Sequence, residues 1–233
     1  MKKIIIASTS TVHNSGYLEY ILPRLTSFFQ GVESILFIPY ARPGGISYDT
    51  YTAIAAKGFK KIGILVRGIH EFDDPKKAIA NAQAIFTGGG NTFELVNRLY
   101  SNNVLEELST AVLTGTPYLG TSAGSNICGV TMMNTNDMPI VYPPSFKTLG
   151  FIPFNINAHY LDPDPTSKHM GETRETRIRE YHVFNDIPVL GLREGSWLEV
   201  IDDTIMLKGN LSARLFQSGK EAIEFDPESI LNF

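Results

Sequence analysis

Five short apolar runs punctuate the first half of the chain: Lys3 to Ala7, Ser34 to Pro39, Gly63 to Val66, Ala84 to Thr87 and Tyr118 to Gly120. Each is followed closely by Gly, Pro, Ser or Thr. Strands buried on both faces read this way, because neither face calls for alternating polar residues. Between the runs lie helix-like stretches at Tyr17 to Phe29, Tyr48 to Ala56, Pro75 to Ala82 and Phe93 to Asn102. Parallel strands can be joined only by crossovers, so this alternation predicts a doubly wound α/β fold, a mostly parallel sheet with helices on both faces. Pro23, inside the first helical stretch, predicts a kink or a late start there.

The second half changes character. Pro139 to Pro153 holds four prolines, and Leu161-Asp162-Pro163-Asp164-Pro165 is rigid and non-helical, so both read as loops. Trp197 to Ile201 and Thr204 to Leu207, joined by Asp202-Asp203, predict a late β-hairpin, with Ala222 to Phe225 as an edge strand. A length of 233 residues fits a single catalytic domain, 1–233, and 43% hydrophobic against 19% charged residues supplies its core. A net charge of -4 lacks the basic excess that binding to a phosphate backbone needs, so nucleic acid is not an expected partner. Cys128, the single cysteine, rules out an intrachain disulfide and a multi-cysteine metal site. No run of about 18 apolar residues occurs, so no membrane span is expected and a cytoplasmic protein is.

In such sheets ligands sit where strand ends meet helix starts. Two junctions carry chemistry there. Thr87-Gly88-Gly89-Gly90-Asn91-Thr92 runs from a strand into a helix capped by Asn91 or Thr92, and its glycines let backbone N–H groups approach a phosphate or an oxyanion. The usual nucleotide-binding spacings are absent. Gly120-Thr121-Ser122-Ala123-Gly124 matches G-x-S-x-G, the elbow that pushes a nucleophilic serine out of a sheet, and a helix over Asn126 to Met132 is expected to lead out of it. A serine nucleophile needs a base, and of His13, His70, His159, His169 and His182 only His159 ends an apolar run. Two carboxylates could orient it: Asp137, in the loop after the elbow, and Glu194, directly after the run Val189 to Leu192. The pattern alone leaves them tied.

Taken together, Gly88-Gly89-Gly90-Asn91-Thr92-Phe93, Gly120-Thr121-Ser122-Ala123-Gly124, Asn136-Asp137-Met138-Pro139-Ile140-Val141, Asn157-Ala158-His159, Gly171-Glu172-Thr173-Arg174 and Gly191-Leu192-Arg193-Glu194-Gly195 resemble the peptidase E family, the alpha-aspartyl dipeptidases. That resemblance implies a class I glutamine amidotransferase-like fold and a serine peptidase that removes N-terminal aspartate from dipeptides without metal or other cofactor. It implies Ser122 as nucleophile, His159 as base, Asp137 as the favoured third member with Glu194 as the alternative, and the N–H groups of Gly90 and Ala123 as the oxyanion hole. The expected partners are small Asp-X peptides, acted on by a monomer or homodimer.

Aspartate specificity also has a physical basis in the residues. A helical register from Gly171 to Tyr181 puts Arg174, Ile178 and Tyr181 on one face, so Arg174 can point inward and grip a carboxylate at two points. Arg177 is the nearest alternative reader. Competing readings are a cyanophycinase-like peptidase and a non-catalytic or glutaminase-like module; amidotransferases carry cysteine at the elbow, where this chain has Ser122.

Overall fold

The computed structural model describes residues 1–231 except 167 and 169. Strand β1 (Lys3–Ala7) is followed by a 3-10 turn at Glu19–Ile21 and helix α1 (Leu22–Phe28). Pro23 sits in the first turn of α1, where its missing N–H is harmless, so the outcome is a late start and not a kink. The alternation continues through β2 (Ser34–Ile38), α2 (Tyr48–Lys60), β3 (Leu65–Gly68), α3 (Pro75–Ala80), β4 (Ile85–Thr87) and α4 (Thr92–Ser101). A helix absent from the sequence reading, α5 (Leu105–Leu113), precedes β5 (Tyr118–Thr121). Helix α6 covers only Ala123–Asn126, not Asn126 to Met132 as expected. Beyond it the chain turns back, with Leu149 N bonded to Ile127 O and Gly150 N to Gly129 O.

The rest comprises β6 (Asn155–Ala158), α7 (Arg174–Tyr181), β7 (Val189–Leu192), β8 (Trp197–Ile201), β9 (Thr204–Lys208), β10 (Ala213–Phe216) and β11 (Ile223–Phe225). The main sheet has the order β3-β2-β4-β5-β1-β8-β9. Its first five strands are parallel, and the expected hairpin, β8 and β9, adds antiparallel to β1. Alternate residues of one strand serve opposite faces: Ile4 and Ile6 join a core with α3, α4 and α5, while Ile5 and Ala7 join another with α1 and α2. This is the mixed α/β arrangement, helices on both faces, that the apolar runs predict. A second sheet, β11-β10-β7-β6, was not foreseen; the expected edge strand near Phe225 lies at its margin. Ile156, Leu190, Ala213 and Leu215 from this sheet pack into the same core as Ile4 and Ile6.

Candidate active site

The site forms where β1, β5, β6 and β7 end. At the end of β5, Ser122 adopts φ +53° and ψ −112°, outside the regions an L-residue favours, as a nucleophile elbow demands. Its N–H donates to Ala7 O (3.2 Å) at the end of β1. The glycine loop lies alongside: a side chain at Gly89 would meet Ser122 Cβ at 2.9 Å. Gly90 has φ +144°, and a Cβ there would sit 2.2 Å from Ala41 O, so only glycine fits. Asn91 caps α4 by accepting from Glu94 N at 3.1 Å. Among the described residues the N–H groups of Gly90 and Ala123 make no backbone hydrogen bond.

His159 follows β6 with φ +55°. Its Nε2 lies 2.9 Å from Ser122 Oγ and its Nδ1 2.6 Å from Glu194 Oε1. A carboxylate only accepts, so Nδ1 carries the proton and Nε2 faces the serine hydroxyl as acceptor. The arrangement can move a proton from serine to imidazole while the carboxylate holds the ring. Tyr20 stands near Glu194: burial, then the charge of Glu194, raises its hydroxyl pKa, and that hydroxyl donates to Thr9 O at 2.7 Å. One residue escaped the sequence reading. Fully buried Ser8 donates to Leu192 O (2.7 Å) and accepts from His159 N (3.0 Å), joining the two strand ends that carry His159 and Glu194. Its signal was a hydroxyl residue directly after a buried parallel strand.

Asp137, the favoured third member, does not meet His159. Its Oδ2 accepts from Thr92 N (2.7 Å), Thr92 Oγ1 (2.5 Å) and Thr135 Oγ1 (3.2 Å), which fixes it at the start of α4. The carboxylate that reaches the imidazole is Glu194. The parallel register of β6 and β7 pairs Ala158 with Leu192, so the chains leave the sheet side by side with His159 next to Arg193 and Glu194.

Arg174 begins α7, whose Ile178 and Tyr181 are buried as the helical register requires. It lines an open cleft of about 720 Å³ with Arg177 and the loop from Leu161 to Pro165. Burial, then the neighbouring charge of Arg177, lowers the pKa of Arg174, against the pull of Asp137. His70 instead contacts Asp49 Oδ1 at 2.9 Å, His182 contacts Asn185 O at 3.0 Å and His13 is exposed; His169 lies outside the described residues. Cys128 is fully buried, donates to Gly124 O at 3.4 Å and has its thiol pKa pushed up by burial, so it is no nucleophile. Among the described residues no group of three or more His, Cys, Asp or Glu could hold a metal ion, and no helix is long and apolar enough to cross a membrane.

A sequence profile of peptidase family S51 matches residues 4–208. The chain is 50% identical to "Peptidase E" of Streptomyces coelicolor over 216 residues, 93% of this chain and 88% of that protein. It is 41% identical to the Drosophila melanogaster protein named "Probable alpha-aspartyl dipeptidase" over 235 residues, 100% and 97% of the two chains. The crystal structure of a peptidase from an acI-B1 Actinobacterium superposes with a TM-score of 0.73 at 14% identity, covering 100% of this chain and 97% of that one, which shows a shared fold. The architecture is the class I glutamine amidotransferase-like one that the motifs led us to expect.

Proposed function

Because the chain belongs to peptidase family S51, we propose that it is a serine dipeptidase that hydrolyses small Asp-X peptides with a free N-terminal aspartate. The observation that carries this reading is the row Ser122 Oγ, His159 Nε2, His159 Nδ1 and Glu194 Oε1, closed by contacts of 2.9 and 2.6 Å. Ser122 attacks the peptide carbonyl as His159 takes its proton, and the carboxylate of Glu194 stabilises the imidazolium. The N–H groups of Gly90 and Ala123 receive the oxyanion. His159 then protonates the leaving amine, the C–N bond breaks, and water activated by the same imidazole releases aspartate from the acyl-enzyme. Arg174 in the cleft holds the substrate's side-chain carboxylate.

We extend the proposal to one catalytic unit, 1–233, because residues of both sheets share a core. We also extend it to a cytoplasmic monomer or homodimer, because the single cysteine calls for no oxidising compartment. A dipeptide panel with chelator present tests the activity. Asp-Leu should be hydrolysed far faster than Asn-Leu, Glu-Leu or Leu-Leu, whereas equal rates across the panel would overturn the substrate assignment.

A further inference from the structure

Tyr51 has no place in the proton relay, yet it touches the glycine loop that lies against Ser122. It belongs to the buried stripe of α2, with Ala55 and Phe59 one and two turns on, and is 1% exposed. Its ring meets Phe37 edge-on at 4.9 Å, and the Arg42 guanidinium stands over it at 4.7 Å. Its hydroxyl donates to Gly89 O at 3.0 Å, the only hydrogen bond that reaches this carbonyl among the described residues. The loop is fitted closely to the ring: a Cβ at Gly88 would stand 2.5 Å from Tyr51 Oη and 2.8 Å from Cζ. On either side the backbone is pinned, by Gly88 N to Ile38 O (3.2 Å) and by Asn91 N to Ala41 O (2.8 Å). Between these two bonds lies the Gly89–Gly90 peptide.

A trans peptide points its carbonyl and its N–H in opposite directions. With Gly89 O turned into the core toward Tyr51, the Gly90 N–H is turned out of it. Glycine on both sides of this peptide tolerates either orientation, since neither residue has a Cβ to forbid the turned-over form. Turned over, the peptide would present an oxygen lone pair where the N–H now points, and that oxygen would repel an oxyanion. The glycines that let the backbone approach the site thus leave this orientation undecided, and the Tyr51 hydroxyl decides it. We propose that Tyr51 is a positioning residue: by holding Gly89 O it aims the Gly90 N–H at the oxyanion, and so acts on the transition state without touching the substrate. This rests on the serine dipeptidase reading given above, in which the Gly90 N–H is one of two oxyanion donors.

The test is Tyr51→Phe, which keeps the ring against Phe37 and removes only the hydroxyl. On Asp-Leu it should lower kcat about ten- to a hundredfold, short of the roughly thousandfold that outright loss of an oxyanion donor can cost, and leave KM within about threefold. The second readout is inhibition by the analogue of aspartate that carries a boronic acid in place of its α-carboxyl group. Ser122 Oγ forms a bond to boron as His159 takes the serine proton, and the resulting tetrahedral anion sets an oxygen where the oxyanion forms. Its inhibition constant should rise by the factor lost in kcat, whereas a packing role alone would leave it level with that of wild type. A kcat and a boronate constant both within about threefold of wild type, or a loss confined to KM, would overturn the inference and leave the dipeptidase reading intact. If wild type cleaves Leu-Leu and not Asp-Leu, the Asp-X reading falls instead, and the kcat comparison on Leu-Leu then tests Tyr51 by itself.

Discussion

Ser122 holds its strained backbone because β1, β5 and the glycine loop surround it, a geometry that costs of order 1–3 kcal/mol and survives only where the neighbours over-determine it. Alanine fits the same turn, so Ser122→Ala should fold normally, bind Asp-Leu and lose about a millionfold in kcat, measured by leucine release. At Glu194 the proposed role is to fix the tautomer of His159. Glu194→Gln should lower kcat by about ten thousandfold with little change in KM, measured on Asp-Leu. Arg174 is proposed as a third kind of residue, a reader of charge. Truncating one member of a desolvated charge pair costs roughly 2 to 5 kcal/mol, so Arg174→Ala should lose between about one and a half and four decades of kcat/KM on Asp-Leu and far less on Asn-Leu. Parallel loss on both peptides would make Arg174 structural and pass its role to Arg177.

Among the elements, the ends of β1, β6 and β7 are joined by one hydroxyl. Ser8→Ala leaves the part-buried His159 N–H without its partner and takes one of two donors from the buried Leu192 carbonyl, which keeps Tyr160 N. It should cost about 1–3 kcal/mol in a denaturant melt and lower kcat as well, since His159 loses its backbone anchor. A stability loss with kcat unchanged would mean that the triad is held elsewhere. The same strand ends mark the limit of what the residues reveal on their own. The runs at Lys3, Ser34 and Ala84 were legible because burial on both faces leaves unbroken apolar stretches, and the elbow was legible because its turn tolerates only small flanking residues. The choice between Asp137 and Glu194 was not, since it depends on the parallel pairing of Ala158 with Leu192, a contact between segments about thirty residues apart that no local pattern encodes. Strand β10 stayed hidden for a related reason: Arg214 interrupts a four-residue run and becomes intelligible only beside Glu175 and Glu224.

Across the whole molecule, Arg193 fastens the second sheet to the wall of the cleft. It grips Asp162 at 2.6 and 2.8 Å and Glu224 at 2.9 and 3.0 Å, and it lies over the Tyr160 ring. The bonds from Arg193 hold the Asp162 carboxyl below its usual pKa; Glu224 is lowered too, because its burial is outweighed by hydrogen bonds from Arg193 and Ser212 together with the charges of Arg193 and Arg214. Carboxylates depressed in the folded state stabilise it above their unfolded pKa, about 4, and lose that contribution as pH falls through their folded values. The Tm gap between wild type and Arg193→Met should therefore be widest at neutral pH and close in acid; a gap independent of pH would mean that packing over Tyr160 is all that Arg193 contributes. The position of β1 carries a different consequence. It lies between β5 and β8, bonded to Thr121 on one side and to residues as late as Ile201 on the other. At roughly 5–20 residues per second a ribosome takes about ten to forty seconds to travel from Ala7 to Trp197. For that whole interval β1, with its three isoleucines, waits for its second neighbour, both edges open until β5 follows and one edge open after that, so the nascent chain passes through a window in which it must be shielded from its neighbours before its own late hairpin arrives.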